Sequence, residues 1–144
     1  VYSVEQSLVF PERSRSADAS LRDAPRHGLA FALNQIPPMQ KLSKGVARSQ
    51  SYIHLVLVAC ALERHYLANN SYPSSLGELT PAYAARLPKD VIGGQSLQYR
   101  RRENGSFQLY AVGWNGADDG GIPGKADEDA QGDWVWFASP PEQK

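Results

Sequence analysis

The sequence predicts an α+β domain in which one long N-terminal helix packs on a small three-stranded antiparallel sheet carrying a Gly/Asp-rich loop. Three observations predict it. Apolar residues recur at helical spacing between Lys41 and Asn69. An Asn104-Gly105 pair separates two alternating runs. A tryptophan-bearing run, Asp133 to Phe137, lies beyond a long stretch of glycine and acid. The 144 residues, 42% of them hydrophobic, suit one core with appendages.

Residues 1–40 are rich in Ser, Arg, Asp and Pro and show little periodicity, so they read as an extended or partly ordered N-terminal arm. Its first ten residues, VYSVEQSLVF, offer one strand. Pro37-Pro38 sets a boundary, because proline removes a donor and restricts the residue before it.

The domain proper spans 41–138. Its helix runs from Lys41 to about Asn69, with Val46, Ile53, Val56, Leu57, Cys60 and Leu67 forming the expected buried stripe. Leu55, Leu62 and Tyr66 widen that stripe, and a face so broad expects burial on more than one side. Arg48, Ser49, Glu63 and Arg64 make the polar face. Asn69-Asn70 and Tyr72-Pro73 stop the helix. Ser75-Leu-Gly-Glu78 matches a capping box and predicts a short helix to about Thr80.

Leu97–Glu103 and Ser106–Val112 then form a hairpin. Pairing Glu103 with Ser106 places Leu97, Tyr99, Tyr110 and Val112 on the face toward the helix, with Arg100, Arg102, Phe107 and Leu109 on the other. Asp133–Phe137 supplies the third strand, with Trp134 and Trp136 on one face. Residues 139–144 read as a disordered tail.

Charge narrows the function classes. Lys+Arg and Asp+Glu each total 15, so the net charge is zero and the footprint of a nucleic-acid binder is absent. The charges are uneven: 1–48 and 86–102 lean basic, 113–133 acidic. One cysteine, Cys60, excludes an intramolecular disulfide. Its place on the apolar stripe predicts a small buried hydrophobe, not a nucleophile. The chain opens on Val1 without a signal peptide, which points to a processed or truncated start. The longest apolar run, Tyr52–Leu62, falls short of the roughly 20 residues a membrane span needs. Any anchor is therefore expected upstream of Val1.

The stretch Gly113–Asp133 holds six glycines, six carboxylates and one lysine. Loops longer than about 12–15 residues are usually functional or disordered. A hard cation with oxygen ligands would turn the repulsion among these carboxylates into coordination, and oxygen-only ligands favour calcium over zinc. The candidate metal ligands are Asp118, Asp119, Asp127, Asp129 and Asp133. Asp127 to Gly132 resembles the opening of an EF-hand loop. The twelfth position is Ala138 in place of the bidentate glutamate, so it is not an EF-hand. The alternative is an acidic loop that is solvated or fixed by hydrogen bonds alone.

The catalytic signals are thin. His27, His54 and His65 form no H-x-x-x-H pair, and no G-x-S-x-G or phosphate-binding loop is present. His54 reads as a hydrogen-bonded core histidine and His65 as exposed. Alternate arginines of Arg100-Arg101-Arg102 face opposite ways on a strand, and Arg101 is a candidate partner for the acidic loop.

The order of elements resembles the major pseudopilin of type II secretion systems. Leu62, Glu63, Tyr66, Asn70, Tyr72 and Pro73 match that family's helix end. Gln98-Tyr99-Arg100 and Gly116-Ala117-Asp118 match its hairpin and acidic loop. Residues 60–137 resemble more closely still a group of uncharacterised membrane-anchored proteins of Verrucomicrobia and Planctomycetes. The shared segments are ACALERHYLA, LPKDVIGG, LQYRRRENGSFQLYAVGWNGADDGG and GDWVWF. Residues 1–45 lie outside the pseudopilin pattern. The resemblance implies a pilin-like fold and a non-enzymatic structural or assembly role with protein partners or self-assembly. It also implies an extracytoplasmic location, at the periplasm or cell surface, with a membrane anchor in the full-length protein. It further implies calcium in the C-terminal loop, with Asp133 and Asp118 or Asp119 at its carboxylate positions. A carbohydrate- or peptide-binding module using Trp134 and Trp136 is the alternative.

Overall fold

The computed structural model describes residues 2–3, 8–23, 39–124 and 131–136. Strands β1 (Tyr2–Ser3) and β2 (Leu8–Val9) form a small antiparallel pair. Helix α1 (Pro11–Asp23) follows, then the long helix α2 (Met39–Asn69) and a 3-10 turn at Leu76–Leu79. Strands β3 (Gln98–Arg101), β4 (Phe107–Ala111) and β5 (Trp134–Trp136) make one antiparallel sheet in the order β3-β4-β5. The architecture is the expected long helix packed on a three-stranded sheet.

Within the segment read as an extended or partly ordered arm, Pro11–Asp23 is helical. Pro11 opens α1, a position where the missing N–H costs nothing. Asp18 then turns the arm into a support. Its carboxylate accepts the Gln40 N–H at 3.0 Å, placing negative charge at the N-terminus of α2. Val9 is buried, and its N–H donates to the Val91 carbonyl at 2.9 Å. Strand β2 is thereby fixed to the turn at Val91–Ile92.

Helix α2 begins directly after Pro37-Pro38 and ends where Asn70 takes a left-handed conformation, φ 54°, donating its N–H to the Tyr66 carbonyl at 2.7 Å. Asparagine tolerates this conformation, so it closes the helix without the usual glycine. Beyond it, the Glu78 carboxylate accepts the backbone N–H groups of Ser74 and Ser75, the reach-back arm of the expected capping box.

The buried side of α2 differs from the expected one. Ala47, Leu55, Val58 and Leu62 face inward, while Val46, Ile53, Val56, Leu57, Cys60 and Leu67 face outward. Cys60 is therefore exposed, correcting its assignment as a buried hydrophobe. Both sides of the helix are apolar, and only the sheet selects between them.

The hairpin register is one residue away from the expected pairing. Arg101 pairs with Phe107 and Gln98 with Tyr110, leaving the three-residue loop Glu103-Asn104-Gly105. The Gly105 N–H donates to the Arg102 carbonyl at 3.2 Å with Gly105 at φ 77°, the glycine position of a three-residue hairpin. Asn104 also accepts the Ser106 N–H at 3.1 Å. A one-residue shift exchanges the faces of one strand relative to the other. Leu97, Tyr99, Phe107, Leu109 and Ala111 thus share the face packed on α2, and Tyr110 lies on the opposite face. Among the described residues Arg101 donates to the Tyr72 carbonyl at 3.2 Å, a backbone contact in place of one to the acidic loop.

Two apolar clusters result. Leu55, Val58, Leu62, Tyr72, Leu79, Phe107 and Leu109 form the larger one between α2 and the sheet. Val9, Ala47, Val91, Ile92, Trp114 and Trp134 form a second, beneath the acidic loop.

Candidate metal-binding loop

The acidic loop leaves the sheet after β4 and returns through Asp133 into β5. Close backbone packing accounts for part of its glycine content. A Cβ at Gly113 would collide with the Gly132 carbonyl oxygen, so the two ends of the loop touch through backbone. The Asp133 N–H donates to the Ile122 carbonyl at 2.8 Å, and Pro123 forms a parallel bridge with Asp133.

The Asp133 carboxylate is the centre of this arrangement. The residue is 3% exposed. Oδ2 accepts the N–H of Gly121 at 2.7 Å and of Asp119 at 3.1 Å. Oδ1 is buried and has no hydrogen-bond partner among the described residues. Burial pushes the carboxyl pKa up, and the charges of Asp119 and Asp118 add to that shift against the two backbone N–H groups.

Asp118 and Asp119 border it. Asp118 Oδ1 accepts the Tyr110 hydroxyl at 3.0 Å and the Gly120 N–H at 2.9 Å. Asp119 Oδ2 accepts the Asn115 side-chain amide at 2.9 Å. Burial pushes the Tyr110 hydroxyl up to about 12, and the Asp118 hydrogen bond adds to it. The structure thus brings Asp118, Asp119 and Asp133 together around one loop junction. Asp127 and Asp129 lie outside the described residues.

A bound calcium ion can be tested against these groups. Among the described residues, no three His, Cys, Asp or Glu side chains converge as a metal-binding group. The buried, unpartnered Asp133 Oδ1 is nevertheless what an oxygen-ligated cation would satisfy. Calcium also takes backbone carbonyls and water, so one buried carboxylate with two flanking acids is a compatible donor set.

A fourth carboxylate, Asp90, was not among the residues singled out from the sequence. It is 2% exposed and spans two loops: Oδ1 accepts the Ile92 N–H and Oδ2 the Val112 N–H, each at 2.8 Å. Val112 leads into the acidic loop, so Asp90 fixes the loop's entrance as Asp133 fixes its exit. Burial pushes the Asp90 carboxyl up to about 6, with the nearby charge of Asp133 adding to the effect. With both oxygens engaged by backbone, Asp90 acts as a staple. A sequence signal was present: an isolated Asp before Val91-Ile92-Gly93-Gly94, where apolar residues lead into a glycine turn.

The remaining candidates resolve into packing. His54 bridges the helix to the loop before Asp90, with Nδ1 2.8 Å from the Lys89 carbonyl and Nε2 2.8 Å from the Gln50 amide. A carbonyl can only accept, which assigns the proton to Nδ1. His65 is half-buried, correcting its expected exposure, and donates from Nδ1 to the Ser71 carbonyl at 2.9 Å. Trp134 and Trp136 share a face, as their partners Ala111 and Leu109 do. Trp134 is buried in the second cluster and Trp136 packs against the first. A sugar-stacking platform needs an open ring face, so Trp134 does not provide one.

Comparison with protein-family models, with curated proteins and with solved structures gives no match, so the chain is placed by its own geometry.

Proposed function

We propose that this chain is a non-enzymatic, extracytoplasmic structural or assembly domain of pseudopilin-like type, whose C-terminal loop is closed over a calcium ion. The observation that carries the proposal is the Asp133 carboxylate, buried at the loop–sheet junction with Oδ1 unpartnered and Asp118 and Asp119 beside it. Asp133 would hold the ion, with Asp118 and Asp119 contributing. The ion would supply the positive charge that a buried carboxylate among acids otherwise lacks. Its role is structural: it fastens the return of the chain into β5. In the full-length protein the domain would stand outside the cytoplasm on a membrane anchor and engage protein partners.

Calorimetric titration of chelator-stripped protein tests the site. Calcium should bind at one site, and magnesium more weakly, because magnesium demands stricter octahedral geometry. Asp133→Asn should abolish binding, and Asp118→Asn and Asp119→Asn should each weaken it. Equal binding by all four proteins would place the ion elsewhere, and no binding at millimolar calcium would refute the site.

A further inference from the structure

The last turn of helix α2 and the tip of the β3–β4 hairpin enclose a cavity of about 460 Å³. That volume lies within the range of small-molecule sites. Tyr66 comes from the helix, Asn70 and Tyr72 from the segment after it, and Arg101, Arg102 and Glu103 from the end of β3 and the loop beyond. Consecutive arginines on one strand would face opposite sides. Strand β3 ends at Arg101, so Arg102 leaves that alternation and lines the same cavity. None of these residues belongs to the acidic loop.

The walls are fixed while their polar ends are left unengaged. One Arg101 N–H donates to the Tyr72 carbonyl at 3.2 Å, and the Tyr66 ring packs on Tyr72 with centroids 4.7 Å apart. Among the described residues, the Tyr66 hydroxyl, the Asn70 amide, the Arg102 guanidinium and the Glu103 carboxylate make no hydrogen bond or ion pair. A guanidinium only donates, and an amide and a phenol can donate beside it. Two guanidinium charges line the cavity against one carboxylate, that of Glu103. The carbonyl end of α2 opposes an anion, but the His65 and Tyr66 carbonyls there already accept the Asn69 side chain and the Asn70 N–H. Glu63, behind Tyr72, is engaged by the Tyr72 hydroxyl at 2.8 Å. The balance stays positive and rich in donors. A cation would be repelled by both arginines, and an uncharged ligand would gain no bond between opposite charges.

We infer that this cavity holds a small oxyanion, a phosphate, sulfate or carboxylate group, clamped by Arg101 and Arg102 with Tyr66 and Asn70 donating beside them. The planar guanidinium fork matches a pair of anionic oxygens. The Tyr72 carbonyl already orients Arg101, which lowers the ordering cost of binding. Glu103 opposes the anion and keeps the affinity modest. The site goes beyond the structural role proposed above and needs no metal. Its test runs in chelator, so the two proposals can fail separately.

Amide NMR titration of the whole chain with sodium phosphate, sulfate and acetate in turn, replacing chloride at constant ionic strength, tests the site. Residues 66–72 and 101–105 should shift saturably, with a Kd of about 1 mM for at least one of the three anions. Arg102→Gln alters an exposed side chain, so the melting temperature should hold while affinity falls at least about 10-fold. Glu103→Gln should tighten binding about two- to five-fold, an effect that a merely structural role would not produce. Arg100 lies on the opposite face of β3, pairing with Gln108. Arg100→Gln should therefore change the affinity by less than about two-fold. Shifts that stay linear with all three anions up to about 50 mM overturn the proposal. So does an equal loss in Arg100→Gln and Arg102→Gln, which would mean a diffuse basic surface.

Discussion

Asp133 and Asp90 are short acids with buried carboxylates and backbone donors, and they differ in what is left over. Both Asp90 oxygens are used, while Asp133 keeps one oxygen unpartnered among the described residues. Asp133→Ala would orphan the N–H groups of Gly121 and Asp119, at a cost of about 2–3 kcal/mol in chelator. With calcium present the deficit should widen, because only the unaltered protein gains the binding term. Chemical denaturation in both conditions checks this, and equal deficits would leave Asp133 a hydrogen-bonding residue only. For Asp90, the folded pKa of about 6 lies above the ordinary value of 3.8. Its contribution is therefore complete below pH 4 and is lost as pH rises through about 6. Asp90→Asn cannot titrate, so the stability lead of the unaltered protein over this variant should grow as pH falls from 7.5 to 5. A lead that shrinks would mean that the backbone hydrogen bonds outweigh desolvation.

At the scale of elements, α2 is the decisive case. Leu55 is fully buried and Ile53 is 53% exposed, although they are two residues apart and chemically alike. Leu55→Ala should cost about 2–5 kcal/mol, and Ile53→Ala at low micromolar protein less than about 0.5 kcal/mol. Unfolding curves of the two variants compare the faces directly. The helix, its stop at Asn70, the 3-10 turn and all three sheet strands were legible in the sequence because spacing and turn chemistry act locally. Which side of α2 is buried was not legible, because apolar residues cover both and the choice belongs to the sheet. The hairpin register was missed for a related reason. Asn-Gly suits a two-residue turn, but Glu103 joins the loop and Gly105 takes the glycine position of a three-residue one. The sequence marked Asp118, Asp119 and Asp133 in the acidic loop, and the structure links them through backbone and side-chain hydrogen bonds at one junction. For Asp90 only its place before a glycine turn was legible; its role as a staple appears once Val112 is brought to it from 22 residues away.

Across the whole molecule, the second apolar cluster links parts that are distant in sequence. Val9 comes from the N-terminal segment, Ala47 from α2, Val91 and Ile92 from the turn after Asp90, and Trp114 and Trp134 from either end of the acidic loop. Ordering the loop therefore orders the seat of the N-terminal segment as well. Gly113→Ala should disturb this whole region, since the new methyl group meets the Gly132 carbonyl oxygen. Limited proteolysis should show faster cleavage in that variant both within the loop and in the N-terminal segment, and unchanged cleavage would show that the two regions are uncoupled. Calcium should act in the opposite sense on the same regions. The most direct test of the account is thermal melting of the chelator-stripped chain before and after adding calcium. An ion held at Asp133 predicts about 2.7 kcal/mol of added stability at a hundredfold excess over Kd, a rise of roughly 8 °C for a domain of this size. Magnesium at the same concentration should give less. An unchanged melting temperature at millimolar calcium would contradict the account and leave the acidic loop closed by its hydrogen bonds alone.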